Sequence, residues 1–291
     1  MDKLGFKCIN SLLFLWLAAT SMQLHAQKSI EFGVFLGTSN YSGDVSEQEI
    51  KWDQTHPAFS VFGRYNINQR WSFKGFVGYG KISGADSLAK KPANRLRNTN
   101  FSSVIYEFSG HFEYNLVKNN LSGRGAKPLI PYLFAGIGVF HFNPKTEFEG
   151  KTYELQPLGT EGQGTTTYNS LEKYDLTTVC IPMGIGLKKR ISRNFAVGIE
   201  FGARFTFTNY LDDVGGKYVS PIVVERAYGP VAGKLANRTG EVAAAYPELT
   251  IPVEGAARTT RSPVIRNDMY FMGGFSISYI FSPKLDLCPK L

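Results

Sequence analysis

The sequence has little charge, little cysteine and, beyond its first residues, no long apolar run. Asp, Glu, Lys and Arg make up 19% of its 291 residues, against about 25% in ordinary soluble domains. No stretch after residue 27 has the roughly 18 consecutive apolar residues of a membrane-spanning helix. Only Cys180 and Cys288 follow that point, too few for a disulfide scaffold. These absences exclude a helical membrane protein and a disulfide-rich domain.

Repeats and signatures of nucleic-acid binding are also absent. The chain has no triplet or heptad period, which excludes collagen-like and coiled-coil structures. Its net charge of +8 is scattered, with no basic run interleaved with aromatics, so nucleic acid is not an expected partner. Aromatic residues and glycine are abundant, at 14% of the chain and 30 residues respectively. This composition excludes a disordered chain and indicates an all-β protein with many turns.

The first 26 residues have the pattern of an export signal. Lys3 and Lys7 precede a mostly apolar segment at 9–19, and Leu24-His25-Ala26 then precede Gln27. The apolar segment is too short to span a membrane, so the pattern favours a secretory signal peptide. We therefore expect Sec-type export, with a signal peptide at 1–26 and a mature chain that starts at Gln27.

Apolar residues alternate with small or polar residues along most of the mature chain. In the segment 195–208, the odd positions carry only Phe, Val, Ile and Ala, whereas the even positions carry Ala, Gly, Glu, Arg and Thr. Successive side chains of a strand point to opposite faces, so one face is apolar throughout. A strand of 14 residues is long for a soluble protein and ample for a tilted membrane strand. The same alternation predicts eight strands, near 30–41, 58–66, 71–82, 103–116, 132–142, 179–188, 195–208 and 269–281.

The connections between these strands alternate in length. Three have about four, five and ten residues, and the other four have about 15, 17, 31 and 56. With the first strand running outward, every short turn lies in the periplasm and every long loop lies outside, as in outer-membrane barrels. We therefore predict an eight-stranded antiparallel transmembrane β-barrel with short periplasmic turns and long extracellular loops. The barrel covers 27–281 with a long loop at 211–266, and a periplasmic tail follows at 282–291.

An eight-stranded barrel has an interior only wide enough for side chains. Strand parity turns eight charged residues inward, four of each sign. A buried charge is costly unless it is paired, so we expect a plug of ion pairs that closes the lumen and excludes a diffusion pore. The predicted lumen network consists of Glu31, Arg64, Lys74, Glu107, Glu113, Lys188, Glu200 and Arg204.

Three alternatives would give the chain a chemical site. Glu107, His111 and Glu113 face the same way, but their spacing spreads them over about 20 Å, too far for one metal ion. For a membrane-facing hydrolase, no His has an obvious Ser and acid partner. Asp212 and Asp213 could bind calcium, although we interpret them as solvated loop carboxylates. The sequence therefore predicts no catalytic residues, no cofactor and no metal.

Three segments carry a family resemblance. They read Asn-Tyr-Ser-Gly-Asp at 40–44, Phe-Thr-Asn-Tyr-Leu-Asp-Asp-Val at 207–214, and Cys-Pro-Lys at 288–290. With the eight-strand layout, they resemble the PorG-like outer-membrane barrels of the type IX secretion system of Bacteroidetes. The resemblance implies a non-enzymatic protein that associates with a periplasmic ring of the lipoprotein PorK and of PorN, and that holds the secretion machine at the outer membrane. The motif residues are Tyr41, Gly43, Asp44, Tyr210, Leu211, Asp212 and Asp213.

The expected periplasmic surface is small and basic. Its turns and termini carry many Lys and Arg against a single acid, Asp286, which favours an acidic partner. The expected partners are outer-membrane lipids together with periplasmic ring proteins and lipoproteins. The alternative is a stand-alone small barrel for envelope integrity or adhesion, similar to OmpA- or OmpX-like proteins. Candidate partner contacts are Lys118, Arg124, Lys127 and Cys288.

Overall fold

The computed structural model describes residues 29–47, 50–119, 128–248 and 267–281. The signal peptide predicted at 1–26, the tail with Cys288, and the candidate contacts Arg124 and Lys127 lie outside these ranges. Within the described ranges, no helix is long and apolar enough to cross a membrane.

Eight long strands close into an antiparallel barrel, which confirms the predicted fold. Each strand pairs with its neighbours in chain order, and the first strand pairs with the last to close the ring. That closing seam runs from Ile30 opposite Phe281 to Ser42 opposite Met269. The barrel strands are β1 (Ser29–Ser42), β2 (His56–Asn66), β3 (Trp71–Ala85), β4 (Asn100–Asn115), β5 (Leu129–His141), β8 (Thr177–Arg190), β9 (Phe195–Thr206) and β10 (Met269–Phe281).

Two further strands, β6 (Lys145–Phe148) and β7 (Lys151–Glu154), form a hairpin in the loop between β5 and β8. Sequence alternation did not predict this hairpin, because four residues are too few to show a period. Strands β3 and β4 also continue further outward than predicted, and pair with each other as far as Ala85 opposite Asn100. Their outward-facing positions there, Ser83, Ala85, Asn100 and Ser102, carry no large apolar side chain, so this extension lies beyond the lipid.

Side chains alternate strictly between the inside and the outside of the barrel. On β9, Ile199 and Phe201 are 50% and 47% exposed, whereas Glu200 between them is 7% exposed. The same apolar outer face continues on all eight strands, for example at Phe108 on β4 and Ile137 on β5. An apolar belt of this extent around a soluble protein would drive aggregation, and it is stable only against lipid. The barrel therefore spans a membrane.

Aromatic pairs mark the two edges of this apolar belt. The rings of Trp71 and Tyr114 lie 4.8 Å apart near the short turns, and those of Tyr79 and Tyr106 lie 5.6 Å apart towards the long loops. Rings with one polar edge favour the level of the lipid headgroups, so the two pairs define the girdles of a membrane barrel. Ile137 lies opposite Gly110, midway between Tyr106 and Tyr114 along β4.

The long loops fold onto the outer end of the barrel. We call the described residues 143–176 and 207–248 the cap. The cap contains the β6–β7 hairpin and the helices α2 (Leu155–Leu158), α3 (Pro221–Tyr228) and α4 (Pro230–Ala236), while α1 (Pro92–Arg97) lies in the loop before β4. Leu211, Val214 and Leu235 of the cap belong to the same apolar core as Phe35 and Phe76 of the lumen. The barrel interior and the cap thus share one continuous core.

Replacing Ile137 by Arg is expected to destabilise the barrel by about 2–4 kcal/mol, because a charge would face lipid at the middle of the belt. The same change at Leu129, on the same face at the periplasmic end of β5, should cost about 0–1 kcal/mol, since the guanidinium there reaches the headgroups. Urea unfolding of the barrel in lipid vesicles measures both costs. Equal losses at the two positions would contradict this placement in the membrane.

Candidate functional site

The eight charged residues predicted for the lumen all lie there, in contact with partners of opposite sign. Glu113 is the centre of the network: Arg64 Nε lies 2.9 Å and Lys188 Nζ lies 2.9 Å from its Oε2 atom. Lys74 Nζ lies 3.6 Å from Oε1 of the same carboxylate. Two of these bases also contact a second carboxylate. Arg64 Nη1 lies 2.8 Å from Glu31 Oε2, and Lys74 Nζ lies 2.5 Å from Glu200 Oε2. Arg204 pairs separately with Glu107 at 3.0 Å.

Two tyrosines complete this network and were missed from the sequence. Tyr132 donates a hydrogen bond to Glu200 at 2.7 Å, and Tyr270 donates one to Glu107 at 3.0 Å. Both tyrosines occupy even, inward-facing positions of their strands, on β5 and β10. Their even positions indicate that they face the lumen. A neutral phenol, however, is not identified by counting the charged residues of the inner face. In each carboxylate the phenol donates to Oε2, the atom that the base also contacts, so the tyrosine adds a neutral donor to the ion pair.

The lumen does not have the arrangement of a hydrolase or of a metal site. Ser109 Oγ lies 2.6 Å from Glu107 Oε1 and 2.9 Å from His111 Nε2, so the serine lies between the other two. In a catalytic triad the histidine lies between serine and acid, because it must take the serine proton. Within the described ranges, no group of three His, Cys, Asp or Glu residues is placed to hold a metal ion.

The two motifs of the family resemblance meet at the outer end of the β1–β10 seam. We call Tyr41, Asp44, Asp212 and Asp268 the mouth cluster. The Tyr41 hydroxyl donates to Asp212 at 2.5 Å and lies 3.2 Å from Asp268. All four side chains are buried. The cluster joins β1, the first residues after it, the start of the long loop and the residue before β10, so it ties the cap to the barrel.

Backbone N–H groups donate to two carboxylates of the mouth cluster, those of Asp212 and Asp268. Val45 and Val214 donate to the two oxygens of Asp212 at 3.1 and 2.9 Å, and Leu211 donates to Asp268 at 3.0 Å. Asp268 was not predicted from the sequence, because it lies at the end of a long loop without any periodic pattern. Its position directly before the last strand, beside the end of β1 across the seam, would have been the only signal.

Gly43 is required by the space around the mouth cluster. A Cβ atom at this position would lie 2.0 Å from Asp268 Oδ1 and 2.0 Å from the Tyr41 hydroxyl. No other residue fits without moving one of these groups. The glycine of the Tyr-Ser-Gly-Asp motif is therefore explained by close approach of the backbone to two buried polar side chains.

A buried ion pair supports the mouth cluster from the neighbouring loop. Arg97 holds both oxygens of Asp86, at 2.7 Å from Nε and 2.6 Å from Nη2, and also donates to the backbone carbonyl of Asp44 at 2.9 Å. This fork geometry is typical of strong Arg–carboxylate recognition. Sequence reasoning missed the pair, because nothing in the loop 86–99 distinguishes these two charges from solvated ones.

Asp212 and Asp213 are both buried, so their interpretation as solvated carboxylates is wrong. Asp213 has a left-handed backbone conformation, with a φ of 63°, and its side chain serves the cap instead of the mouth cluster. It accepts a hydrogen bond from Tyr174 at 2.7 Å and another from Thr160. The ring of Tyr174 in turn stacks on Tyr210, with 4.7 Å between centroids. The adjacent acids thus fasten two different parts of the long loops.

Proton binding at the mouth cluster is altered by burial and crowding. Removal from water and the nearby charge of Asp44 raise the pKa of Asp212 to about 7. Burial, together with Asp212 and Asp44, raises the pKa of Asp268 well above its usual value. The positive charge of Arg97 opposes the shift at Asp212, and hydrogen bonds from Tyr41 and the backbone oppose it at both acids. The cluster therefore retains protons at a pH where exposed carboxyls have lost them.

At the opposite end of the barrel, Lys118 is exposed just beyond β4. The other candidate partner contacts, Arg124, Lys127 and Cys288, lie outside the described residues. In the described parts of the short turns, Arg193 is exposed and Arg70 is half-buried, and neither Asp nor Glu is present.

The apolar belt, the filled lumen and the folded cap define a closed barrel of the outer-membrane type. The chain belongs to the family described as "Domain of unknown function (DUF6089)", which matches residues 7–218. A comparison with curated proteins found no match.

Solved barrels share the shape of the chain at low identity. Ail, the attachment invasion locus protein of Yersinia pestis, solved with the heparin analogue sucrose octasulfate, is 10% identical with a TM-score of 0.39, over 88% of this chain and 99% of that one. Neisserial surface protein A is 9% identical with a TM-score of 0.39, over 88% and 98%. The N-terminal β-barrel domain of OprF from Pseudomonas aeruginosa is 10% identical with a TM-score of 0.35, over 87% and 97%. Likenesses at this level identify no function.

Replacing Gly43 by Ala is expected to weaken attachment of the cap by about 1–3 kcal/mol, since the added methyl group overpacks the mouth cluster. The matched control is Gly240→Ala in the cap, where a Cβ meets nothing within 4 Å. Limited proteolysis of the folded barrel should cut the cap faster in the first variant only. Unchanged cleavage of the Gly43 variant would show that the mouth cluster does not hold the cap.

Raising the pH is expected to loosen the cap. The folded pKa of Asp212, about 7, exceeds its unfolded value of about 3.9, so the folded state binds more protons between these values. The stability that this proton provides is fully present below about pH 4 and is lost as the pH rises to about 7. Over this range, the equilibrium constant for opening of the cap should increase by at most about tenfold per pH unit. Hydrogen exchange of cap amides, corrected for intrinsic rates, measures it. An Asp212→Asn variant should show a flatter dependence; an equally steep one would assign the effect to another group.

Proposed function

We propose that this chain is a non-enzymatic outer-membrane component of a protein-secretion machine of the type IX class, and that it anchors periplasmic ring proteins and lipoproteins at the membrane. The observation that carries the proposal is the filled lumen. Its eight charged side chains are at most 8% exposed and all lie in ion pairs. A barrel that is filled in this way has its outer surfaces available for function, which favours a role in assembly.

The mouth cluster supports the resemblance on which the finer part of the proposal rests. The motifs at 40–44 and 207–214 are far apart in sequence, yet Tyr41 and Asp212 are in direct contact. Residues that act as one structural unit are expected to recur together in related chains. Their contact is therefore the relation expected if the resemblance reflects a common architecture.

The charge of the periplasmic end supports an acidic partner there. Lys118, Arg70 and Arg193 belong to its described turns, which carry no opposing acid. A basic rim steers an acidic surface into contact and favours its correct orientation. Periplasmic domains of ring proteins and lipoproteins with acidic patches are therefore the partners that we propose.

A stand-alone barrel for envelope integrity or adhesion is the second candidate. The folded cap favours it, because the cap and the adjoining loop expose large apolar side chains outside the membrane, with Ile222 60% and Trp52 84% exposed. Exposed aromatic and aliphatic side chains are typical of contact surfaces. In this case the outer face would bind the partner, and the periplasmic rim would have no specific role.

Reversing the charge of the rim separates the two candidates. Changing Lys118, Arg124 and Lys127 to Glu is expected to reduce co-purification of periplasmic lipoproteins, and export of secreted enzymes, by about tenfold or more. Deleting 283–291 tests the tail separately. The matched control changes three exposed cap residues, Lys151, Lys217 and Arg226, to Glu. Heat-modifiable gel mobility verifies that each barrel assembles. Normal co-purification and export in both periplasmic variants would refute the anchoring role and favour the stand-alone barrel.

A further inference from the structure

Two apolar furrows run side by side across the lipid-facing surface of β4, β5, β8 and β9. The first has a volume of about 700 Å³ and extends from Trp71 and Phe112 to Phe205. The second has a volume of about 380 Å³ and extends from Leu116 and Pro131 to Ile199. Leu133, Ile185 and Phe201 line both furrows. These three side chains therefore form a ridge between two parallel depressions.

Two alanines, on β5 and β9, form the floor of the larger furrow. Ala135 and Ala203 lie on either side of Met183 in one cross-strand row of the lipid-facing surface. Large side chains occupy the next row, at Leu133, Ile185 and Phe201. The two alanine side chains leave the floor of the furrow low on either side of Met183, whereas the neighbouring row is bulky. The depression is thus a low region within the apolar belt.

The dimensions of the furrows match single acyl chains. Three inter-strand steps separate Phe112 on β4 from Ala203 on β9, which corresponds to about 15 Å. Half of the roughly 30 Å hydrocarbon core of a bilayer has the same length. Two such chains side by side, separated by the width of one side-chain ridge, describe the acyl part of a two-chain lipid.

An arginine stands at the periplasmic mouth of both furrows. Arg70, in the turn between β2 and β3, donates from Nη1 to the Leu116 carbonyl at 2.9 Å and lies 3.5 Å from the Tyr114 hydroxyl. Tyr114 lines the first furrow and Leu116 the second. The hydrogen bonds of the Arg70 guanidinium to described residues all come from Nη1, so none of these contacts occupies Nε or Nη2. A guanidinium that is fixed in this way is suited to a phosphate group.

We propose that the paired furrows bind one two-chain glycerophospholipid of the periplasmic leaflet. Its two acyl chains lie in the two furrows, on either side of the ridge, and its phosphate group is held by Arg70 beside the interfacial ring of Trp71. The periplasmic leaflet follows from the position of Arg70 in a short turn. This site does not depend on the proposed secretion role, because none of its features lies in the mouth cluster or at Lys118.

Native mass spectrometry of the full-length barrel with palmitoyl-oleoyl-phosphatidylethanolamine tests the site. The first lipid should bind at least about fivefold more tightly than the later ones. Changing Ala135 and Ala203 together to Phe fills the larger furrow and should remove this preference. Changing Arg70 to Gln should weaken the first binding several-fold and leave the furrows intact. The matched control, Val34→Phe with Val61→Phe, enlarges two paired lipid-facing residues on the opposite side of the barrel and should have no effect.

Other lipids as probes distinguish the occupants. Dioleoylglycerol, which has two chains but no phosphate, and a single-chain lysophospholipid should both bind more weakly than the intact phospholipid. Equal binding of dioleoylglycerol would overturn the role of Arg70 and favour the lipid anchor of a lipoprotein. Tighter binding of lipid A would overturn the assignment to the periplasmic leaflet. Successive lipids of equal affinity in the wild-type barrel would show ordinary annular lipid and no site.

Discussion

The structure depends on one electrostatic constraint: charges inside a closed eight-stranded barrel must be paired there. Burial of an unpaired ion costs several kcal/mol, because the surroundings cannot replace its hydration. The chain meets this constraint with Glu113, which is shared by Arg64, Lys74 and Lys188, and with phenol donors from Tyr132 and Tyr270. The ion pairs and the two phenols together connect side chains from all eight barrel strands. Their register is consequently coupled, and a slip of one residue in any strand that carries a lumen charge would turn this charge towards the lipid.

The barrel was predictable because its period is short and its environment is sharply divided. Every second residue faces lipid and the rest face a narrow lumen, so eight strands and eight lumen charges could be assigned from parity alone. The loops obey no such rule. The contact of Tyr41 with Asp212 and Asp268 joins residues separated by most of the chain. The pair of Arg97 with Asp86 lies between irregular segments. Only tertiary packing decides whether such a carboxylate is buried or solvated, and for Asp212 and Asp213 the sequence-based interpretation was wrong.

The motif residues therefore have a structural explanation that is independent of any partner. Gly43 leaves room for two polar side chains, Asp212 accepts backbone donors from both sides of the mouth, and Asp213 and Tyr210 order the cap around Tyr174. A chain that keeps these residues keeps its cap in place over the lumen. The surfaces available to partners are different ones, namely the rim of short turns, the lipid-facing belt and the outer face of the cap. Variation in partners can thus occur without change in the motif.

The position of the mouth cluster at the β1–β10 seam has a consequence for the order of events during biogenesis. Tyr41 belongs to the first strand, whereas Asp268 directly precedes the last one. These two side chains can meet only after the last strand, β10, has paired with the first strand, β1. The contact of Tyr41 with Asp268 therefore cannot precede closure of the ring. A precursor in transit to the membrane would carry these acids apart and hydrated, with ordinary affinities for protons, so the finished protein acquires its unusual proton affinity only on arrival.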